Sequence, residues 1–133
     1  MIRGSYLADM QRAEDRVRRT SSSIVPTDWG QIEFVDDGAG VPFLLSHGIF
    51  GGHDNAVEMV ESYVGQGFRT IGPSRFGYFG SSLPDGATPA LQADAYIDLL
   101  EHLDLSGWWS SGSRQEARRQ SKWRCVIPTV FMV

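Results

Sequence analysis

Between residues 30 and 105 the chain alternates short apolar runs, bounded by glycine turns, with longer segments of helical spacing. That order restricts it to a sheet covered by helices on both faces. QIEFV (31–35) sets Ile32 and Phe34 on one face, and VPFLLS (41–46) is an apolar run with Pro42 near its start, where a strand tolerates a missing donor. The turn Asp36–Gly40 between them predicts an antiparallel hairpin. HDNAVEMVESYV (53–64) lines up Ala56, Val57, Val60 and Val64 as one side of a helix that stops at Gly65-Gln66-Gly67. FRTIG (68–72) reads as a short buried strand. Thr88-Pro89 opens a second helix, with threonine as N-cap, proline in the first turn, and a stripe of Leu91, Ala95, Leu99, Leu100 and Leu103. The expected class is α/β, in the order hairpin, helix, strand, helix. It is incomplete, because a further buried strand should follow. SGWWSSGSRQEARRQSKWR (106–124) has neither two-residue alternation nor the apolar content to supply one.

Upstream, Tyr6, Leu7, Met10, Ala13 and Val17 recur at helical spacing over 6–19, which predicts a helix outside the main fold. Thr20-Ser21-Ser22-Ser23 then forms a polar break. Three parts are therefore expected: a helix and linker over 1–29, a partial α/β domain over 30–105, and a distinct tail over 106–133. Charge marks the last boundary. Residues 1–105 hold 7 Lys and Arg against 15 Asp and Glu (net −8), whereas 106–133 hold 5 against 1 (net +4). The only lysine, the only cysteine and three of the four tryptophans also fall in that tail.

Composition narrows the function classes. The net charge of −4 argues against a nucleic-acid partner, and no apolar run is long enough to span a membrane. The N-terminus has no apolar core of a secretory signal, so a cytoplasmic location is expected. The single Cys125 forms no internal disulfide and no metal cluster. With no G-x-G-x-x-G after a strand, no P-loop and no clustered ligands, neither a cofactor nor a metal is expected.

Three motifs in order carry a resemblance. An apolar strand runs into LLSHGIFGG (44–52). GFRTIGPSRFGYFGSS (67–82) is similar to a strand and loop of pattern D-x-R-G-x-G-x-S, departing from it with Pro73-Ser74 before Arg75 and Phe76-Gly77 after. The Thr88 helix follows at normal spacing. Over residues 30–105 the chain resembles the front half of the α/β-hydrolase family. The resemblance implies that His47-Gly48 opens an oxyanion loop. Its donor is the Ile49 backbone N–H, and Phe50, Gly51 and Gly52 shape its wall. Acyl transfer builds negative charge on a carbonyl oxygen, and pre-aimed N–H groups stabilise that charge at little reorganisation cost. Read from the residues alone, a glycine-rich strand-to-helix turn with no ligand serves equally well. His47 is not the catalytic base, because the family's base comes last in chain order; structural hydrogen bonds within its loop are expected instead. Arg75 either contacts substrate or orders its loop, and ordering is the expectation. His53 and His102 are expected as surface or helix residues, and Asp94, Asp98 and Glu101 as a solvated face.

The family's nucleophile elbow, G-x-S-x-G, is absent. Its expected position falls at Ser113 and Arg114, where the text reads Gly112-Ser113-Arg114-Gln115-Glu116 with no glycine to relieve the turn. The genetic code suggests why. Shifted by two bases, the UGG codons of Trp108-Trp109 read GUG, valine. Under permitted codon choices the run continues as an apolar strand into Gly-Val-Ser-Ala-Gly. Residues from about Ser106 onward are thus expected to be translated out of frame, the alternative being a natural, divergent C-terminus. The expected function is a truncated α/β-hydrolase family protein without turnover of its own. Its parent would hydrolyse small-molecule esters, amides or related acyl compounds. The alternatives are a non-catalytic binding module, or an active hydrolase if the frame is restored. No nucleic acid or membrane partner is expected, while exposed sheet edges favour self-association or aggregation.

Overall fold

A computed structural model describes residues 2–49 and 51–105. Helix α1 (Ile2–Arg19) precedes strands β1 (Ser23–Thr27), β2 (Gly30–Asp37) and β3 (Val41–Leu44). A single 3-10 turn, His53–Asn55, leads into α2 (Ala56–Tyr63), and then come β4 (Phe68–Pro73) and α3 (Pro89–His102). The four strands form one mixed sheet in the order β1-β2-β4-β3. The described residues adopt the expected α/β class, and their four-stranded sheet is consistent with an incomplete one.

The pairing around Asp36–Gly40 differs from the expected hairpin. β2 and β3 are not neighbours, because β4 lies between them. It runs antiparallel to β2 (Phe34 opposite Pro73, Asp37 opposite Thr70) and parallel to β3 (Val41 opposite Phe68, Leu44 opposite Ile71). The physical reason lies in the turn. Gly38 and Gly40 have φ of 85° and 125°, and a Cβ on Gly40 would stand 2.1 Å from the Gly67 carbonyl oxygen. The turn is thus a wide arch over the start of β4, and only glycine lets that backbone pass so closely. The antiparallel hairpin that does form joins β1 to β2 through Asp28-Trp29, with Thr27 opposite Gly30. β1 falls within the stretch expected to be a linker, and its Pro26 fits the edge position it occupies.

Two-residue alternation along β2 divides the interior. Ile32 and Phe34 face a cluster with Val25, Ile71, Ala95 and Leu99, so α3 covers that side. Val35 faces the other way, with Leu45, Ala56 and Val60 under α2. Helix α3 starts where expected: the Thr88 Oγ1 accepts from the Leu91 N–H at 3.2 Å, and Pro89 occupies the first turn. Helix α1 starts at Ile2, earlier than its apolar periodicity indicates, and leaves Tyr6, Leu7 and Met10 exposed. It is held by an ion pair from Arg16 Nε to the buried Asp54 carboxylate at 2.8 Å. Among the described residues no helix is long and apolar enough to cross a membrane.

Ile71 is fully buried and paired on both sides, to Asp36 and to Leu44. Truncating it removes packing from the centre of the sheet. Ile71→Ala is expected to lower stability by about 2–5 kcal/mol, and the exposed Tyr63→Ala by less than about 0.5 kcal/mol, in urea unfolding followed by circular dichroism. Equal effects from the two would contradict this packing.

Candidate functional site

Because β3 and β4 are parallel neighbours, their C-terminal ends leave the sheet side by side. In open α/β sheets that edge is where ligands are held. The exit of β3 stays attached for one more residue, through Leu45 N–H to the Ile71 carbonyl at 2.9 Å. Ser46 Oγ then meets the Tyr96 hydroxyl of α3 at 3.0 Å. The segments that follow, 47–52 and 74–82, lie against each other.

His47 is the joint between them and is only 5% exposed. Its Nε2 accepts the Arg75 backbone N–H at 2.9 Å, and its Nδ1 lies 2.7 Å from the Gly48 carbonyl oxygen. An N–H can only donate and a carbonyl can only accept, so these partners specify a neutral ring with its proton on Nδ1. Burial favours that form by pushing the His47 pKa down from its ordinary 6.5. The Gly48 carbonyl opposes the shift, Arg75 adds to it, Asp54 opposes it and His53 adds to it. These are structural hydrogen bonds, one within the loop of His47 as expected and one to the Arg75 backbone in the other loop.

The His47 bond also orients a peptide. Gly48 O is held by the imidazole and, more loosely, by the Gly51 N–H at 3.4 Å. In a planar trans peptide the N–H points opposite the carbonyl, so the Ile49 N–H is directed away from the His47 ring. No hydrogen bond among the described residues uses it. Ile49 itself is 69% exposed, and among the described residues a Cβ added to Gly48 would meet nothing within 4 Å, so none of them crowds this side of the loop. The Tyr78 hydroxyl donates to the Ile49 carbonyl at 3.0 Å, with its ring edge-on to His47 at 4.8 Å. Gly48 carries the carbonyl that the Gly51 N–H approaches in closing the loop. Gly51 and Gly52 make room: a Cβ on Gly51 would lie 2.9 Å from His47 Cβ, and one on Gly52 would lie 2.1 Å from the Phe79 ring.

Beneath the loop sits a polar cluster that sequence patterning does not reveal. His53, expected as a surface or helix residue, opens the 3-10 turn and is 2% exposed. Its Nδ1 lies 3.0 Å from Ser74 Oγ and 3.7 Å from Glu33 Oε2. Glu33 also accepts from the Gly80 N–H at 2.7 Å and from Ser22 Oγ at 2.6 Å. Ser81 Oγ accepts the Glu33 N–H and donates to the Ser74 carbonyl, both at 2.9 Å. Although it contains serine, histidine and glutamate, the cluster is not a catalytic triad. Hydroxyl and acid approach the same ring nitrogen, where a triad needs opposite ones, and Ser74 is fully buried. It fastens the 74–82 loop to β2 and the 3-10 turn. The one sequence signal was Glu33 itself, placed by alternation on the face it shares with Val35. Asp98 is likewise not on a solvated face: it is buried, and its Oδ2 accepts the Asp28 N–H at 3.0 Å. Helix α3 is covered on more than its leucine stripe.

No family model matches the chain. A curated protein, the uncharacterized hydrolase YcgS of Bacillus subtilis (strain 168), is 36% identical over 80 residues, which is 59% of this chain. Among solved structures, an alpha/beta hydrolase fold protein from Nakamurella multipartita matches 64% of this chain at 42% identity and a TM-score of 0.58. The described residues form the front part of an α/β-hydrolase fold. A thermophilic esterase from Thermogutta terrifontis shares this hydrolase fold over 65% of the chain, at 28% identity and a TM-score of 0.52. The chain spans 27% of the length of YcgS, 29% of the Nakamurella protein and 33% of the esterase. Within the hydrolase fold, His47, Gly48, Ile49, Gly51, Gly52 and Arg75 all come together at the parallel strand ends. Phe50 lies outside the described residues, as do Ser113, Arg114 and the whole tail from 106.

The neutral His47 predicts a pH dependence. Its folded pKa lies below the unfolded value, so the unfolded chain takes up the proton first as pH falls. The stability tied to this group is complete above about pH 6.5 and declines below it, until the folded form also protonates. Urea midpoints measured from about pH 7.5 down to about pH 5 are expected to fall more steeply for the native chain than for His47→Gln. Parallel profiles would contradict the assignment.

Proposed function

We propose that this chain carries the carbonyl-polarising part of a serine-type hydrolase and does not turn over substrate by itself. The observation that supports this most is the inward-tied Gly48 carbonyl, which leaves the Ile49 N–H facing open space at the ends of two parallel strands. In such an enzyme a serine attacks an acyl carbonyl, a histidine takes its proton, and an acid orients that histidine. Backbone N–H groups hold the developing oxyanion. Here Ile49 supplies one donor. The second normally follows the nucleophile, and this sequence has no G-x-S-x-G to carry either. The matched proteins named as a hydrolase and as an esterase support ester, amide or related acyl compounds as the parent's substrate class.

The missing elbow is explained by a frame change near Ser106. The charge reversal after Leu105, the clustered tryptophans and the shifted reading Gly-Val-Ser-Ala-Gly all support it. The nucleotide sequence across codons 105–133 is expected to encode G-x-S-x-G in an adjacent frame. If neither frame does, the explanation fails.

Inactivity is tested with a fluorophosphonate probe, which bonds covalently to an activated serine. The chain is expected to remain unlabelled and to hydrolyse p-nitrophenyl butyrate no faster than its Ser113→Ala variant. Stoichiometric labelling at Ser113 would show that a nucleophile is present and overturn the proposal.

A further inference from the structure

Ile49 lies between two peptide planes, and each is anchored at its oxygen. The plane before it is tied at Gly48 O by His47 and Gly51. The plane after it is tied at Ile49 O by the Tyr78 hydroxyl. A residue has only two soft backbone dihedrals, so anchoring the planes on both sides leaves little freedom to the N–H between them. The proposed hydrolytic role needs that N–H preorganised, not merely present.

The backbone around Tyr78 is shaped to deliver its hydroxyl. Gly77 has a φ of 76° and Phe79 a φ of 48°, so both neighbours of Tyr78 are in the left-handed region. For a bulky side chain such as Phe79 that conformation is strained and persists only where its surroundings enforce it. The Phe79 ring packs edge-on to the buried His53 at 5.1 Å, which supplies part of that enforcement. Two turns enclose the residue, from Tyr78 N–H to the Arg75 carbonyl and from Ser81 N–H to the Tyr78 carbonyl, each at 3.0 Å. The ring then returns over His47, and its hydroxyl meets the Ile49 carbonyl. One residue thus rests on the first anchor of Ile49 and provides the second.

We infer that Tyr78 is a positioning residue that holds the Ile49 N–H in its outward, oxyanion-facing orientation through the Ile49 carbonyl. The inference rests on the reading of Ile49 as an oxyanion donor and assigns the side chain that preorganises it. Tyr78→Phe keeps the ring against His47 and removes only the hydroxyl.

The test uses the full chain labelled with 15N,13C-isoleucine and titrated with butyrate, whose carboxylate oxygen stands in for the oxyanion. In the native chain the Ile49 amide resonance is expected to shift saturably. In Tyr78→Phe the other isoleucine resonances stay in place. The Ile49 carbonyl carbon moves upfield before any butyrate is added, and butyrate binds three- to tenfold more weakly, the span expected from losing one neutral hydrogen bond. Native affinity in Tyr78→Phe overturns the inference and leaves the donor assignment standing. An Ile49 amide that ignores butyrate in the native chain overturns the donor assignment itself. A second measurement needs no variant. Replacing tyrosine with 3-fluorotyrosine, a stronger donor, is expected to move the Ile49 carbonyl carbon downfield, and an unmoved resonance counts against the inference.

Discussion

β4 is hydrogen-bonded along both edges, antiparallel to β2 and parallel to β3, and the candidate site follows from that double pairing. An antiparallel neighbour alone would send the exit of β4 to the opposite end of the sheet from that of β3. The parallel register, with Leu44 opposite Ile71, brings both exits to the same edge within one residue. Loops 45–52 and 74–82 then have no choice but to pack on each other. Backbone polar groups at the buried seam between them must find partners there. His47 satisfies one group from each loop with a single neutral ring.

A layered polar interior supports that joint. The cluster of Glu33, His53, Ser74 and Ser81 joins β2, the 3-10 turn and the β4 exit beneath the exposed loop. Buried polar networks are stabilising only when nearly every member is paired, and here the members pair with one another and with backbone groups. In particular, the Ser81 and Ser82 hydroxyls accept the Glu33 and Gln31 N–H groups of β2, along the stretch where β4 no longer pairs with it. The serines that end the RFGYFGSS motif therefore extend the hydrogen bonding of the sheet edge. Chemically this leaves a rigid scaffold with one outward peptide N–H. Under the proposed function that N–H polarises a carbonyl, and attack requires a hydroxyl opposite it and a base beside that hydroxyl.

Patterns with a local cause were legible in the sequence. The Thr88-Pro89 start of α3 follows from capping chemistry within four residues. The division of β2 into Ile32 and Phe34 against Val35 follows from the two-residue period of a strand. The placement of His47 at a strand end follows from the apolar run that stops there. What stayed hidden depends on partners distant in sequence. The pairing of β2 with β4 rather than β3 could not be read from a turn, since a wide glycine arch and a hairpin have similar composition. His53 looked unremarkable because its partners, Ser74 and Glu33, lie about 20 residues away on either side. Asp98 appeared solvated because the Asp28 amide that covers it is 70 residues distant.

By itself, then, the amino-acid order determined that β2, β3 and β4 are strands and α1, α2 and α3 helices, how β2 divides its apolar residues, and that no G-x-S-x-G follows α3. These rest on periodicity, capping and the presence or absence of a motif, all properties of neighbouring residues. Only the tertiary structure decided that β4 separates β2 from β3, that His47 is neutral, and that the Ile49 N–H points outward. Those outcomes depend on which backbone groups meet across the sheet edge, and hydrogen bonds between segments tens of residues apart leave no periodic trace in the chain.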